Sequence, residues 1–152
     1  MLARSIGVGL TPCTIPAVGK PNFTIPPGKM EVGIGHHGEP GIRVEDLRPA
    51  RETARMMVDA VLPDLPFRRG DEVVAMVSGL GATPVMELYI LYDEVERLLE
   101  SRGLAVYRPY VGNYFTSLDM MGVTLTVMKV DAELKELVDL EAECMGLRQF
   151  AR

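Results

Sequence analysis

The sequence predicts an α/β domain in which a mixed β-sheet carries helices on at least one face. Three observations predict it. Short apolar or alternating runs of strand length intermix with amphipathic stretches of helix length. Two strand-like runs, 104–111 and 123–130, follow one another with no helix between, which predicts an antiparallel pair inside a mixed sheet. The chain has 152 residues, 47% of them apolar and 24% charged, which suits one soluble globular domain with its own core.

Taken in order, Ile6-Gly7-Val8-Gly9-Leu10 predicts a short strand. From Lys29 to Gly35 polar and apolar residues alternate, which predicts a second strand over 30–36. Met30, Val32 and Ile34 fall on one of its faces, Glu31 and Gly33 on the other. Pro49 suits the first turn of a helix, where its missing N–H costs nothing. Ala50, Ala54, Met57, Val58 and Val61 then recur at helical spacing until Pro63 and Pro66 end the run. Residues 72–77 form a short apolar strand. Thr83 is placed to cap the next helix, with Pro84 in its first position. The stripe of that helix is Val85, Leu88, Tyr89, Tyr92, Val95 and Leu99, and Gly103 terminates it. After the two late strands, Asp131 caps a last helix with the stripe Leu134, Leu137 and Val138.

Composition excludes some function classes. The net charge is −5, from 21 acidic and 16 basic residues with no basic cluster, so a nucleic-acid backbone is not the partner. No apolar run approaches the roughly 20 residues of a membrane span, so no membrane is expected. The first residues lack the apolar stretch of a signal peptide, and the two cysteines, Cys13 and Cys144, read as reduced thiols. Together these place the protein in the cytoplasm. Residues 1–29 are dense in proline and glycine, which read as a connecting segment rather than regular structure. The expected division is therefore a connector over 1–29 and a domain over 30–152.

The chemistry concentrates in Gly35-His36-His37-Gly38-Glu39-Pro40-Gly41. Continued strand parity puts His36 on the apolar face and His37 on the face of Gly33 and Gly35, with open space above it. The residues alone leave three readings of His37 open. It is a nucleophile toward a carbonyl carbon, a metal ligand with Glu39, or a histidine that hydrogen-bonds in a turn. H-H-G-E matches no strong ligand spacing, and a turn histidine is the commonest of the three. His36 reads as structural, in need of a hydrogen-bond partner. Glu39 either orients an imidazole or accepts backbone N–H groups in the Pro40-Gly41 turn. Ser78–Thr83, between a strand and a helix, is an anion-binding loop or a tight turn; it holds no Walker lysine. Thr116, Ser117 and Asp119 read as turn formers.

The segment from Met30 to Gly41 resembles the substrate-histidine motif of the dihydroxyacetone (glycerone) kinases, roughly E-[IL]-G-[MI]-G-I-H-G-E-P-G. Three further stretches are similar to the same family and stand in its order: Gly9–Pro21, Gly79–Pro84 with Glu87-Leu88, and Val111–Tyr114 with Thr116–Met120 and Gly122. The departure is His36, where the family usually carries an aliphatic residue. The resemblance implies the C-terminal half of a substrate-binding subunit, a two-layer α/β sandwich with a mixed sheet. It implies covalent capture of dihydroxyacetone or a similar short ketone on His37 as a hemiaminal, with Gly38 and Glu39 beside the substrate, and phosphoryl transfer to the ketone's hydroxyl. It also implies that the chain binds no cofactor itself. ATP and magnesium belong to a nucleotide-binding subunit, or the donor is a phosphotransferase-system phosphoprotein. An N-terminal half is implied as a further partner, and a homo-oligomer as the assembly. The alternative is a non-catalytic ligand-binding or regulatory module on the same fold.

Overall fold

The computed structural model describes residues 2–21, 23–36 and 39–152. Six strands form one mixed sheet: β1 (Leu2–Gly9), β2 (Lys29–Val32), β3 (Arg43–Asp46), β4 (Glu72–Gly79), β5 (Ala105–Gly112) and β6 (Gly122–Val130), in the order β3-β2-β1-β6-β4-β5. Only β4 and β5 are parallel neighbours, joined through helix α2 (Val85–Ser101). The remaining pairs are antiparallel.

Helix α1 (Ala50–Val61) lies beside α2 on one face of the sheet. The pairing register explains why. Val8 stands opposite Val32 and Val123, Val77 opposite Leu125, and Ala75 opposite Val127, so one face is continuously apolar. These residues join Ala54, Met57, Val58 and Val61 of α1 and Leu88, Leu91, Val95 and Leu99 of α2 in one core. Sheet and helix layer make the two-layer sandwich that the resemblance implies. The opposite face carries small and polar residues, among them Ser5 and Thr126, whose hydroxyls lie 2.6 Å apart. Helix α3 (Ala132–Val138) and the hairpin of β7 (Ala142–Cys144) with β8 (Leu147–Gln149) are tied to β5. Arg108 donates to the Val138 carbonyl, and Tyr110 bonds Gln149.

Four expectations are corrected. β5 and β6 are not paired, because β4 lies between them. Residues 2–9, assigned to a connector, form β1 in the interior of the sheet, so the sheet begins before residue 30. The strand expected over 30–36 ends at Val32, because Gly33 turns the chain at φ +80°. Thr83 does not cap α2; its hydroxyl instead bonds both the Gly122 N–H and the Gly122 carbonyl across to β6.

Other elements follow the sequence closely. Asp131 caps α3 by accepting from the Leu134 N–H at 2.9 Å, and Gly103 ends α2 at φ +82°. The buried side of α2 is turned toward Leu91, which leaves Val85 and Tyr89 exposed. None of the stripe residues of α3 is buried. No described helix is long and apolar enough to cross a membrane.

Candidate functional site

The histidine segment rises from the sheet immediately after β2. The Gly33 N–H donates to the Gly7 carbonyl at 2.7 Å, so the chain crosses β1 at close range. A Cβ at Gly7 would lie 2.7 Å from the Ile34 carbonyl oxygen. Glycine in β1 is what lets the crossing happen. Ile34 then anchors the segment in a second small core with Cys13, Leu80 and Met120.

Beyond Ile34 the Gly35 N–H donates to the Glu39 carbonyl at 3.1 Å. His37 and Gly38, the residues on which the expected chemistry falls, lie outside the described residues. His36 and Glu39 bracket them. The Glu39 side chain folds back against Gly35, where a Cβ would strike its carboxylate. On the far side of the turn, the Gly41 N–H donates to the Glu31 carboxylate at 2.6 Å and the Ile42 N–H to the Val32 carbonyl at 2.7 Å. Of the two acids beside the turn, Glu31 is thus the one that accepts the Gly41 N–H.

His36 is half-buried and well engaged. Its imidazole packs against the Phe115 ring with centroids 4.0 Å apart. Its Nε2 is 3.3 Å from the Thr124 hydroxyl on β6. Its backbone carbonyl accepts from the Ser117 hydroxyl at 2.9 Å. His36 and Thr124 line a hollow of about 440 Å³ together with Arg4, Ser5, Gly7 and Asp64. Glu39 lines a different one, with Glu31, Phe23 and Pro40. The structure therefore sets His36 and Glu39 on separate hollows.

Residues 113–119 form a strap that reaches the turn. The buried Ser78 hydroxyl, at the end of β4, accepts the Tyr114 and Phe115 N–H groups at 3.1 and 3.0 Å. The Ser117 N–H donates to the Leu80 carbonyl at 2.7 Å. Asp119 accepts the Thr14 N–H at 2.7 Å. That bond holds the Asp119 carboxyl below its ordinary value. The link to residue 14 is therefore fully present above the ordinary carboxylate range and lost as pH falls through the lowered value. Ser117 and Asp119, read as turn formers, do form the turn, and Ser117 also touches the histidine segment. Ser78→Ala should leave two strap N–H groups without their acceptor and lower stability by about 1–3 kcal/mol in urea unfolding. An unchanged midpoint would show that Ser78 does not hold the strap.

The glycine loop resolves toward the tight turn. The Leu80 and Ala82 N–H groups donate to the Gly122 and Met120 carbonyls, so they are not available to a phosphate. Among the described residues, no group of three His, Cys, Asp or Glu side chains converges as a metal site.

Sequence reasoning missed Phe115 and Thr124, and the strap-holding role of Ser78. Thr124 had a signal, since a polar residue in the apolar run of β6 needs a partner. Ser78 and Phe115 had none, because their roles depend on a strap that folds back from distant sequence.

A family model described as the Dak1 domain matches residues 2–146. The dihydroxyacetone-binding subunit of a PTS-dependent dihydroxyacetone kinase of Listeria innocua is 41% identical over 135 residues, covering 89% of this chain and 41% of that protein. Among solved structures, a dihydroxyacetone kinase operon co-activator aligns with TM-score 0.85 at 34% identity, over 91% of this chain and 43% of that one. The dihydroxyacetone kinase of C. freundii, in complex with AMP-PNP and Mg²⁺, aligns with TM-score 0.73 at 30% identity, over 91% of this chain and 25% of that one. The chain thus spans under half the length of these relatives.

Proposed function

Because the chain belongs to the Dak1 domain family, we propose that it is the covalent-histidine half of a dihydroxyacetone kinase substrate-binding subunit. A neutral His37 nitrogen attacks the carbonyl carbon of a small ketone, and a C–N bond forms as the C=O π pair moves to oxygen. The oxygen takes up a proton as the imidazole N–H proton is released, which leaves a neutral hemiaminal. Glycerol has no carbonyl and cannot be captured, so the adduct filters a ketone from an alcohol of similar size. The captured ketone then presents a hydroxyl for phosphoryl transfer, a reaction that rests on positioning and charge stabilisation.

One observation carries the reading. The H-G-E-P-G run, flanked by a Gly35 N–H that donates to the Glu39 carbonyl, stands in a chain that matches the family model over 2–146. The donor is another subunit carrying ATP and magnesium, or a phosphotransferase-system phosphoprotein. The general base belongs to an N-terminal half, and this chain supplies the histidine. Glu39 and Gly38 flank the captured ketone. The working assembly is a cytoplasmic homo-oligomer of substrate subunits.

A second reading is favoured by the 0.85 TM-score to an operon co-activator. On it the chain is a ketone-binding regulatory module that never meets a donor. Reconstitution separates the two. Purified alone, the chain should melt cooperatively and form no dihydroxyacetone phosphate from ATP or from a phosphotransferase-system donor. With an N-terminal half and a donor subunit, turnover should appear. Ketone binding without turnover in every combination would favour the regulatory reading.

A further inference from the structure

The geometry points to a vacant strand position beside the first half of β1, which takes an extended segment of the N-terminal half as an added strand. The identity of the partner rests on the half-subunit reading above. The vacancy itself rests on strand pairing alone.

β6 holds β1 along its whole length, from Leu2 opposite Lys129 to Gly9 opposite Gly122. On the other edge of β1, β2 pairs only with Val8 and Gly9. The pairing stops there because Gly33 turns the chain away at φ +80°, after one last bond from its N–H to the Gly7 carbonyl. Along a strand, alternate residues present their N–H and C=O to the same side. Ser5, two residues before Gly7, therefore faces the open side. None of the described residues bonds the Ser5 N–H or the Ser5 carbonyl. Ser5 is also exposed. Beside it, Arg4 folds back to donate to the Ala3 carbonyl at 2.9 Å and pairs with Asp64. Charged side chains of this kind guard an open edge against wrong partners.

The vacancy has room for a chain. Ser5, Ile6 and Gly7 form one side of the hollow of about 440 Å³, and Ile42, Ala60 and Val61 help to wall it. Ile42 is 75% exposed, so an occupant would cover it. An added strand would set alternate side chains beside Ile6, on the face of Val61, and the rest beside Ser5 on the other face. The occupant is thus an extended segment of about five residues, alternately apolar and polar, bound by main-chain hydrogen bonds. A second copy of β1 fits less well. Paired antiparallel about Ser5, its Leu2 would fall opposite Val8, where Val32 already lies. Gly33 and Ile34, which lead into the histidine segment, line the same hollow. A strand added here would bring the N-terminal half, with its general base, alongside that segment.

Residue-resolved amide exchange of the 152-residue chain, alone and with the N-terminal half, reads the edge. Alone, the Ser5 amide should exchange at least about 10-fold faster than those of Arg4 and Ile6, which face β6. With the N-terminal half it should slow by about 10-fold or more. Ser5→Pro removes the edge N–H and leaves the bonds to β6 in place. It should melt within a few degrees of Ser5→Ala, yet bind the N-terminal half about 10-fold or more weakly than Ser5→Ala does. If Ser5→Pro does not fold, the exchange comparison still decides. A Ser5 amide that stays fast in an associated, active complex, or equal affinity of the two variants, would overturn the edge proposal alone. Halves that never associate would overturn the half-subunit reading and this partner with it. Protection of Ser5 that grows with the concentration of the chain alone would give the edge to a second copy and overturn the proposal.

Discussion

Replacing His37 with alanine is expected to abolish ketone capture and, in a reconstituted enzyme, to lower kcat/KM by on the order of 10³-fold or more, the scale on which loss of a catalytic nucleophile acts. The fold should be indifferent to the change, because the cores that hold the segment are built from Ile34 on one side and the sheet on the other. Melting temperature and exchange in the core strands should match the parent. The effect should also depend on pH. Attack needs a neutral imidazole, so capture in the parent should fade as pH falls through the imidazole range. If His36→Ala, with the fold intact, removes the adduct and His37→Ala does not, the chemistry belongs to the neighbouring histidine. Undiminished adduct well into acid would contradict nucleophilic attack altogether.

The second large effect is structural and concerns the strap. Gly81→Ala should destabilise the protein by about 2–4 kcal/mol, from backbone strain plus a steric clash. Gly81 sits at φ +129°, a conformation that L side chains rarely adopt, and a Cβ there would run into the Leu118 carbonyl oxygen. Neither partner has room to move. Leu118 is itself held at φ 54°, unusual for a bulky residue, and the neighbouring Ser117 is tied to Leu80 and His36. The melting temperature should drop by roughly 5–10 °C. Gly28→Ala is the control. Its φ of +73° brings strain, but nothing lies within 4 Å of the added Cβ, so it should cost only about 1 kcal/mol. Equal losses at the two positions would mean that the Leu118 contact is not a constraint.

The sequence is legible where the forces are local. The stripes of α1 and α2, the Asp131 cap and the Gly103 stop each depend on residues within a few turns. Pairing depends on distant residues, and there the reading fails. Val123–Val130 follows 104–111 with no helix between, yet β4 takes the place between them because Ala75 and Val77 match Val127 and Leu125 on the apolar face. The strand read at 6–10 is the end of β1, but its start at Leu2 and its central place in the sheet depend on distant partners. Gly7 reads as a breaker but is what allows Ile34 to cross at contact distance. The proposed site is read from the H-G-E-P-G motif alone. The clamp around it, Ser78 to the strap to His36, could not be read, because it joins residues about 40 and 80 positions apart.

The central claim is a covalent bond between a ketone and His37. The direct test is ¹³C NMR of carbonyl-labelled dihydroxyacetone with the ¹⁵N-histidine-labelled chain, assembled with its N-terminal half. The chain has two histidines, so the assignment needs only two variants. The account predicts that the carbonyl signal gives way to a tetrahedral carbon with one-bond coupling to an imidazole nitrogen, kept in His36→Leu and lost in His37→Ala. A bound ketone whose carbonyl carbon stays trigonal, or a coupling that survives His37→Ala, would contradict it.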